Sequence, residues 1–352
     1  MQTIPDTAAL RRALGRAALL ALLAAATLAC GGMGEGEGRP VRVHIPRGAA
    51  MSEVADSLAA HDIVDAAFAF RVYARLKGVA GSIKAGTYEF RPGAGWDRVL
   101  DDLEHGRVVH DRLVIPEGWD IRRIAPGLAA AADVPVDSVQ AMLFDSTAAD
   151  RFQVPGPTLE GYLFPATYAF PVRAPLDSLV RRIVERYRAV WTPERRARAD
   201  SIDMTEREVV TLASIIEAEA KHPAEMPLIS AVYHNRLRRN YPLQADPTVQ
   251  YALGAHQQRL LYAHIDSSED NPYNTYRRPG LPPGPIGSPG EAAIDAALRP
   301  DSVSYFYFVA RPDGSHVFTR TYAEHQRAVA AMRRARAARE RANEAATTAE
   351  PR

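Results

Sequence analysis

Two glutamates in the twelve-residue stretch Val209 to Ala220 are the side chains best suited to moving a proton. At about 100° per residue, Val209, Ala213, Ile216 and Ala220 fall on one apolar stripe of a helix, with Leu212 beside it. Glu217 lies at one edge of the stripe and Glu219 at the other, about 160° apart. A carboxyl group bordering an apolar surface is costly to ionise unless it is exposed, paired or functional. In a partly apolar cleft its pKa rises, which suits a general acid near neutral pH. Periodicity alone favours ordinary flanking glutamates at both positions. Other segments shift that balance. Pro157 to Tyr168 carries Glu160 and Tyr162, Tyr233 to Leu237 carries Asn235 and Arg236, and Tyr241 to Thr248 carries Gln244 and Asp246. Asn271 to Tyr276 carries Tyr273, Asn274 and Thr275, and Gly280 to Ile286 is a rigid Pro/Gly loop. A sugar groove needs such residues: rings stack on pyranose faces, while amides and carboxylates bond hydroxyls and acetamides.

The elements around these residues have clear local signals. Thr205-Glu-Arg-Glu208 is a capping box opening the glutamate-bearing helix. Asp246-Pro247 predicts an N-cap with proline at the first helical position, and Ser288-Pro-Gly-Glu291 adds an N3 glutamate to the same device. Tyr305 to Val309 and His316 to Thr319 read as strands joined by a Pro312-Asp-Gly314 turn, and Thr321 to Glu324 caps a last helix. Those capping roles leave Asp246 and Glu324 little functional weight. Ala85 to Phe90 alternates like a strand, Arg91-Pro-Gly93 turns it, and Asp97 to Glu104 looks helical. An internal repeat is also present. Val43-His-Ile45-Pro46-Arg-Gly48 leads into Val54-Ala55 and Leu58-Ala59; seventy positions later, Leu113-Val-Ile115-Pro116-Glu-Gly118 leads into Ile124-Ala125 and Leu128-Ala129. Each copy predicts a short strand, a Pro/Gly turn and an amphipathic helix. Such units resemble LysM-type glycan-binding modules, and a generic βα unit fits as well. The mixture of element types predicts an α+β fold.

The 352 residues suffice for about two domains. With 47% hydrophobic and 24% charged residues, disorder and collagen-like structure are excluded. Lys+Arg 43 against Asp+Glu 42 gives a net charge of +1, and hence no global reason to expect nucleic acid as partner. The single cysteine, Cys30, excludes an internal disulfide and a Cys-built zinc site. Arg11, Arg12 and Arg16 precede the apolar run Ala17 to Ala29, an export-signal pattern that places the rest of the chain outside the cytoplasm. Cleavage after Ala29, lipidation at Cys30, and retention as a somewhat short membrane anchor all remain open. Gly34 to Gly38 reads as a flexible polar spacer, and Ala328 to Arg352 as a solvated Ala/Arg/Glu-rich helix fraying into a tail. No metal or cofactor is expected. No His-Glu-x-x-His occurs, Pro223 interrupts Glu219, His222 and Glu225, and the Gly280 to Gly290 loop lacks the donors and the Gly-Lys-Ser/Thr of a phosphate cradle. With no Gly-x-Ser-x-Gly elbow, acyl transfer has no nucleophile.

Ala213-Ser-Ile-Ile-Glu217-Ala-Glu219-Ala220, the polar and Pro/Gly segments above, and Phe306 to Val309 with His316-Val-Phe318 and Glu324-His325 closely resemble the endolytic murein transglycosylases, the YceG-like family. The resemblance spans about residues 41 to 330. The sequence departs from it at Ala166, where Asp is more usual, at Gln326, where Asn is more usual, and over Lys221 to Met226. It implies a membrane anchor (1–33), a linker (34–40), a LysM-like subdomain (41–110), a mixed α+β catalytic domain (111–330) and a basic tail (331–352). It further implies a periplasmic enzyme, bound to the inner membrane, that cleaves nascent peptidoglycan between N-acetylmuramic acid and N-acetylglucosamine and contacts cell-wall synthases. The family's catalytic glutamate falls on Glu217. Ordinary glycosidases use two carboxylates, whereas a lytic transglycosylase can manage with one, because the muramic C6 hydroxyl attacks C1 within the same molecule. Glu160 is the candidate second polar group, or else a turn carboxylate bonding backbone. Glu219 is expected to orient or to pair with Arg236; Tyr162, Asn235, Gln244, Tyr273, Asn274 and Thr275 are candidate binders. A non-catalytic peptidoglycan-binding protein and a hydrolytic muramidase are the rival readings.

Overall fold

The computed structural model describes residues 34–254 and 260–349, with side chains through 337. The export segment with Cys30 lies outside the described residues, and no described helix is long and apolar enough to cross a membrane. Among the described residues the architecture is α+β: many helices and three two-stranded sheets. The described residues divide into two compact units, one of residues up to 112 with 169–174, the other of 113–168 with those from 175 onward.

In the first unit, β1 (Val41–Ile45) pairs antiparallel with β2 (Gly86–Phe90), Val43 opposite Tyr88. Strand alternation sends Val43 and Ile45 inward and His44 outward. Helices α1 (Met51–Ala60), α2 (Ala67–Leu76) and α3 (Trp96–His105) close over that face, burying Val54, Leu58, Phe70, Trp96 and Leu103. The Gly34 to Gly38 segment, read from sequence as a flexible spacer, is held by the neighbouring turn. Glu37 N donates to Pro92 O at 2.9 Å, Arg91 Nη1 to Gly38 O at 2.8 Å, and Arg98 Nη1 to Glu35 Oε1 at 2.9 Å.

Strand β3 (His110–Ile115) pairs with β4 (Ala166–Pro171). From β3 a turn enters α4 (Ile121–Ala132), so both repeat copies are strand, turn and helix. In the second unit, α5 (Val136–Phe144) and α6 (Ser146–Arg151) follow α4; α7 (Leu176–Val190) and α8 (Pro193–Asp200) lead to α9 (Glu206–Glu219). The capping box of α9 forms as its sequence dictates, with Glu208 N donating to Thr205 Oγ1 at 3.3 Å and Thr205 N to Glu208 Oε2 at 2.8 Å. Beyond it lie a 3-10 turn (Pro223–Glu225), α10 (Met226–Arg238), α11 (Asp246–Leu253), α12 (Tyr262–Ser267) and α13 (Glu291–Leu298). Strands β5 (Tyr307–Ala310) and β6 (His316–Thr319) form an antiparallel hairpin, and α14 (Tyr322–Ala349) ends the described chain.

Helix α9 is more enclosed than a single apolar stripe predicts. Every residue from Val209 to Ile216 is buried, because α10, α11 and α13 pack around it. Its two buried hydroxyls are satisfied locally, Thr211 Oγ1 donating to Arg207 O and Ser214 Oγ to Thr211 O, each at 2.7 Å. Two predicted caps are displaced. The N-cap position of α11 falls on Ala245, not Asp246, and the Asp246 carboxylate accepts from the Tyr276 hydroxyl instead of a helix amide. Helix α13 is capped by Gly290, and the Ser288 hydroxyl is buried without a partner.

Candidate active site

Helix α9 emerges from the core at its last turn, where Glu217 and Glu219 lie half-buried on either side of exposed Ala218. Both line a cleft of about 740 Å³ in the second unit. Its opposite walls come from the Glu117–Gly118 turn, the start of α4, α11 and the β5–β6 hairpin.

The Pro/Gly loop ahead of α13 brings these parts together. Gly118 N donates to Ser288 O and Ser288 N to Trp119 O, each at 2.8 Å, and Ile286 N donates to Ser214 Oγ at 3.1 Å. The loop thus joins the 116–119 turn to the buried face of α9. At its end, Gly290 N donates to Glu217 Oε2 at 3.0 Å. A β-carbon on Gly290 would stand 2.0 Å from Glu117 Oε1, so glycine admits the second carboxylate at this point. Arg195 fixes α13 from behind, with Nη2 at 2.8 Å from Asp295 Oδ2 and 3.2 Å from Glu291 Oε2. Gly161 accommodates the same loop. Its φ is +84°, and an added β-carbon would lie 2.4 Å from Pro285 Cβ.

Burial raises the Glu217 pKa, the nearby Glu117 charge adds to the rise, and the Gly290 amide opposes it; the net direction is up. The position on the helix acts the same way, because the last turn of α9 presents unpaired carbonyls that disfavour an added negative charge. Glu219 is pushed up to about 7, first by burial and then by Asp246, against the Tyr233 hydroxyl and Arg236. A half-buried carboxyl whose pKa is raised, open to a cleft and held by one backbone donor, is suited to delivering a proton.

The sequence-predicted site residues separate into two groups. Glu217 and Glu219 face the cleft. Glu160 is buried behind it: both of its oxygens accept from Ile121 N, at 3.1 and 3.2 Å, capping the start of α4, and Oε2 accepts from the Tyr251 hydroxyl at 3.1 Å. Burial pushes Glu160 up to about 8, against the Ile121 amide. It therefore bonds backbone across the fold rather than within its own turn. Tyr273 packs against Tyr251 with centroids 4.8 Å apart and the rings tilted by 49°. The other predicted binders are structural supports off the cleft wall. Tyr162 is fully buried and packs edge-on to Tyr187 at 5.1 Å. Asn235 donates to Val303 O and Tyr305 O at 2.9 and 2.8 Å. Arg236 is used on the Phe306, Pro242 and Leu243 carbonyls and on Gln244 Oε1. Gln244 is exposed, in left-handed backbone at φ +51°. Asn274 Nδ2 donates to Ile265 O at 2.8 Å, and Thr275 Oγ1 lies 2.9 Å from Thr248 Oγ1. The expected Glu219–Arg236 pairing takes another form. The hydrogen-bond partner of Glu219 is the Tyr233 hydroxyl at 3.0 Å, and Arg236 acts on it only through its charge.

Several cleft residues were missed from sequence. Glu117 stands where the first repeat copy carries Arg47, a charge reversal at one turn position that could have marked it. Tyr251, with the Arg122 guanidinium 5.2 Å from its ring centre, had no local signal. Asp246, read as a helix cap, instead borders the cleft and accepts from the Tyr276 hydroxyl. His316, read only as a strand residue, also lines the cleft.

The sequence pattern that describes the YceG-like family matches residues 43–331, which contain every element of this cleft. The chain belongs to the YceG-like family. A YceG-like protein of Listeria monocytogenes, solved by crystallography, is 30% identical and superposes with a TM-score of 0.57, covering 83% of this chain and 99% of that one. A Bacillus subtilis protein named endolytic murein transglycosylase is 34% identical over 305 residues, 82% of this chain and 83% of its own length. A Streptococcus pneumoniae protein of the same name is 30% identical over 320 residues; the match spans 58% of its length.

Proposed function

We propose that this YceG-like chain is an endolytic peptidoglycan lytic transglycosylase, a lyase that cuts the β-1,4 bond between N-acetylmuramic acid and N-acetylglucosamine and leaves a 1,6-anhydro end. The observation that carries the reading is the Glu217 carboxyl, half-buried on the cleft wall with its pKa raised and one oxygen on Gly290 N. The name endolytic murein transglycosylase, carried by the Bacillus and Streptococcus relatives, supports the substrate class.

Glu217, protonated, gives its proton to the leaving O4 as the C1–O4 bond breaks. The C6 hydroxyl of the same muramic residue attacks C1, so no water has to be positioned. Arg122, held over the Tyr251 ring that Tyr273 backs, offers guanidinium donors on the cleft wall for sugar hydroxyls. Asp120, Asp246 and Gln250 offer polar partners for hydroxyls and acetamides.

The remaining expectations belong to the same proposal. The 1–33 segment, retained or lipidated at Cys30, holds the protein at the inner membrane with its catalytic unit in the periplasm. There it trims nascent strands beside cell-wall synthases and ends their elongation. The β1–α1–α2–β2 order of the first unit supports reading that unit as a LysM-like glycan-binding module.

The test is mass spectrometry of uncross-linked glycan strands incubated with the purified protein. Shortened strands with new 1,6-anhydro ends are expected. New reducing ends would make the protein a muramidase, and unchanged strand lengths would make it a binding protein.

A further inference from the structure

The first unit leaves one helix face uncovered, and the start of the described chain lies beside it. Helix α2 turns Phe70, Tyr73 and Ala74 inward. On its other side Phe68 is 71% and Leu76 73% exposed, the most exposed large apolar side chains of that unit. At about 100° per residue, Phe68, Arg71, Val72, Arg75 and Leu76 fall within one arc of about 140°. The helix carries no acidic residue, and the Arg71 guanidinium stands 5.5 Å from the Phe68 ring centre. An exposed apolar stripe set among arginines is complementary to an anionic lipid surface. Apolar groups enter the headgroup layer there, while the guanidinium groups meet phosphate.

The point where the described chain begins favours that occupant. Gly34 O accepts from Gly95 N at 3.0 Å, and Arg98 Nη1 donates to Glu35 Oε1 at 2.9 Å. Between those two donors sits Trp96, whose ring packs edge-on against Phe70 and Tyr73 of α2, each pair with centroids 5.6 Å apart. The Tyr73 hydroxyl also donates to Asp97 Oδ1 at 2.6 Å. Gly34 is therefore pinned to the stretch that carries the inner face of α2, and a helix is only about 10 Å across. The apolar run Ala17 to Ala29 ends five residues before Gly34, and five residues span at most about 18 Å. A bilayer that holds this run lies within reach of the outer face of α2.

We propose that the outer face of α2 docks on the anionic surface of the membrane, with Phe68 and Leu76 in the headgroup layer and Arg71 and Arg75 on lipid phosphates. This rests on the reading of the 1–33 segment as a retained or lipidated anchor. The contact holds the first unit in one orientation on the bilayer instead of leaving it to swing on its linker.

The experiment reconstitutes the full chain into vesicles of phosphatidylcholine alone, or of phosphatidylcholine and phosphatidylglycerol in equal parts, with bromine-labelled acyl chains as fluorescence quenchers. Phe68→Trp reports on the α2 face, with Leu76→Trp as a second probe should the first not fold. Arg42→Trp reports on the exposed outer face of β1, where the arginine side chain is 52% exposed. Each is read as quenching beyond that of the wild-type tryptophans, and flotation of the vesicles reports the anchor separately. Strong quenching of the α2 probe is expected in the anionic vesicles, weaker quenching in the neutral ones, and little for Arg42→Trp in either. Adding Arg71→Gln or Arg75→Gln should each lower the docked-to-free ratio about fivefold, and high salt should act in the same direction. In a chain that floats with the vesicles, α2 quenching no greater than that of Arg42→Trp would overturn the proposal. Quenching that is equal in both lipids and indifferent to the two arginines would overturn the anionic surface as partner. Glycan binding, or self-association in detergent, that is lost in Phe68→Ser with Leu76→Ser would give the face to glycan or to a second copy and overturn it too. A chain that floats with neither lipid instead removes the anchor reading, and the proposal with it.

Discussion

Glu160→Gln tests how the cleft wall is held. The buried carboxyl has its ordinary value of 4.5 when unfolded and is pushed up to about 8 in the fold, because burial outweighs the bonds from Ile121 N and Tyr251. Between those two values the folded state binds more protons than the unfolded state, so stability falls as pH rises. At about 1.4 kcal/mol per pH unit, the gap from 4.5 to about 8 corresponds to a loss on the order of 5 kcal/mol by pH 8. Glutamine keeps one acceptor for Ile121 N and cannot ionise, and its amide places one donor beside existing donors, which costs about 1–3 kcal/mol. Urea unfolding from pH 4 to pH 9 should therefore show the variant less stable at the acid end and more stable above about pH 8. A wild-type-minus-variant difference that stays flat from pH 4.5 to pH 8 would refute the reasoning.

Ser214→Ala removes the acceptor of Ile286 N and should destabilise by about 1–3 kcal/mol; a change below about 0.5 kcal/mol in denaturant titration contradicts the loop-clamp argument. Gly161→Ala combines a φ of +84° with a β-carbon 2.4 Å from Pro285 Cβ, whereas Gly48→Ala at φ +79° meets open space. The first should therefore lose clearly more than the roughly 1–2 kcal/mol expected of the second, and equal losses would mean that Pro285 moves aside freely. Tyr233→Phe deletes the donor to Glu219, so the Glu219 midpoint should rise from about 7 in a carbon-13 NMR titration; an unchanged or lower midpoint contradicts the assigned partner.

What the sequence makes legible is mostly local. Thr205 with Glu208, the repeated Pro/Gly turns and the alternation at Tyr88 and Phe90 act over a few residues, and each appears in the fold where it was read. Glu217 could be singled out because its helix carries a motif. Its neighbour Glu117 lies far away in sequence, and their approach depends on a Pro/Gly loop closing between them. The candidate binders Asn235, Asn274 and Thr275 were chosen for chemistry that suits a sugar, yet amides and hydroxyls equally satisfy buried loop backbone, and here they do the latter. Tyr162 went inward for the same want of signal, since a tyrosine's ring is as good a core filler as a platform. Asp246 illustrates the reverse: an evident capping motif hid a carboxylate that borders the cleft.

The most direct test of the central claim is the yield of 1,6-anhydro ends from Glu217→Gln and Glu219→Gln, each folded as the wild type and assayed on the same glycan strands. The account predicts no anhydro product from the first, a reduced but measurable yield from the second, and a wild-type rate that falls as rising pH deprotonates Glu217. An undiminished yield from Glu217→Gln would contradict it.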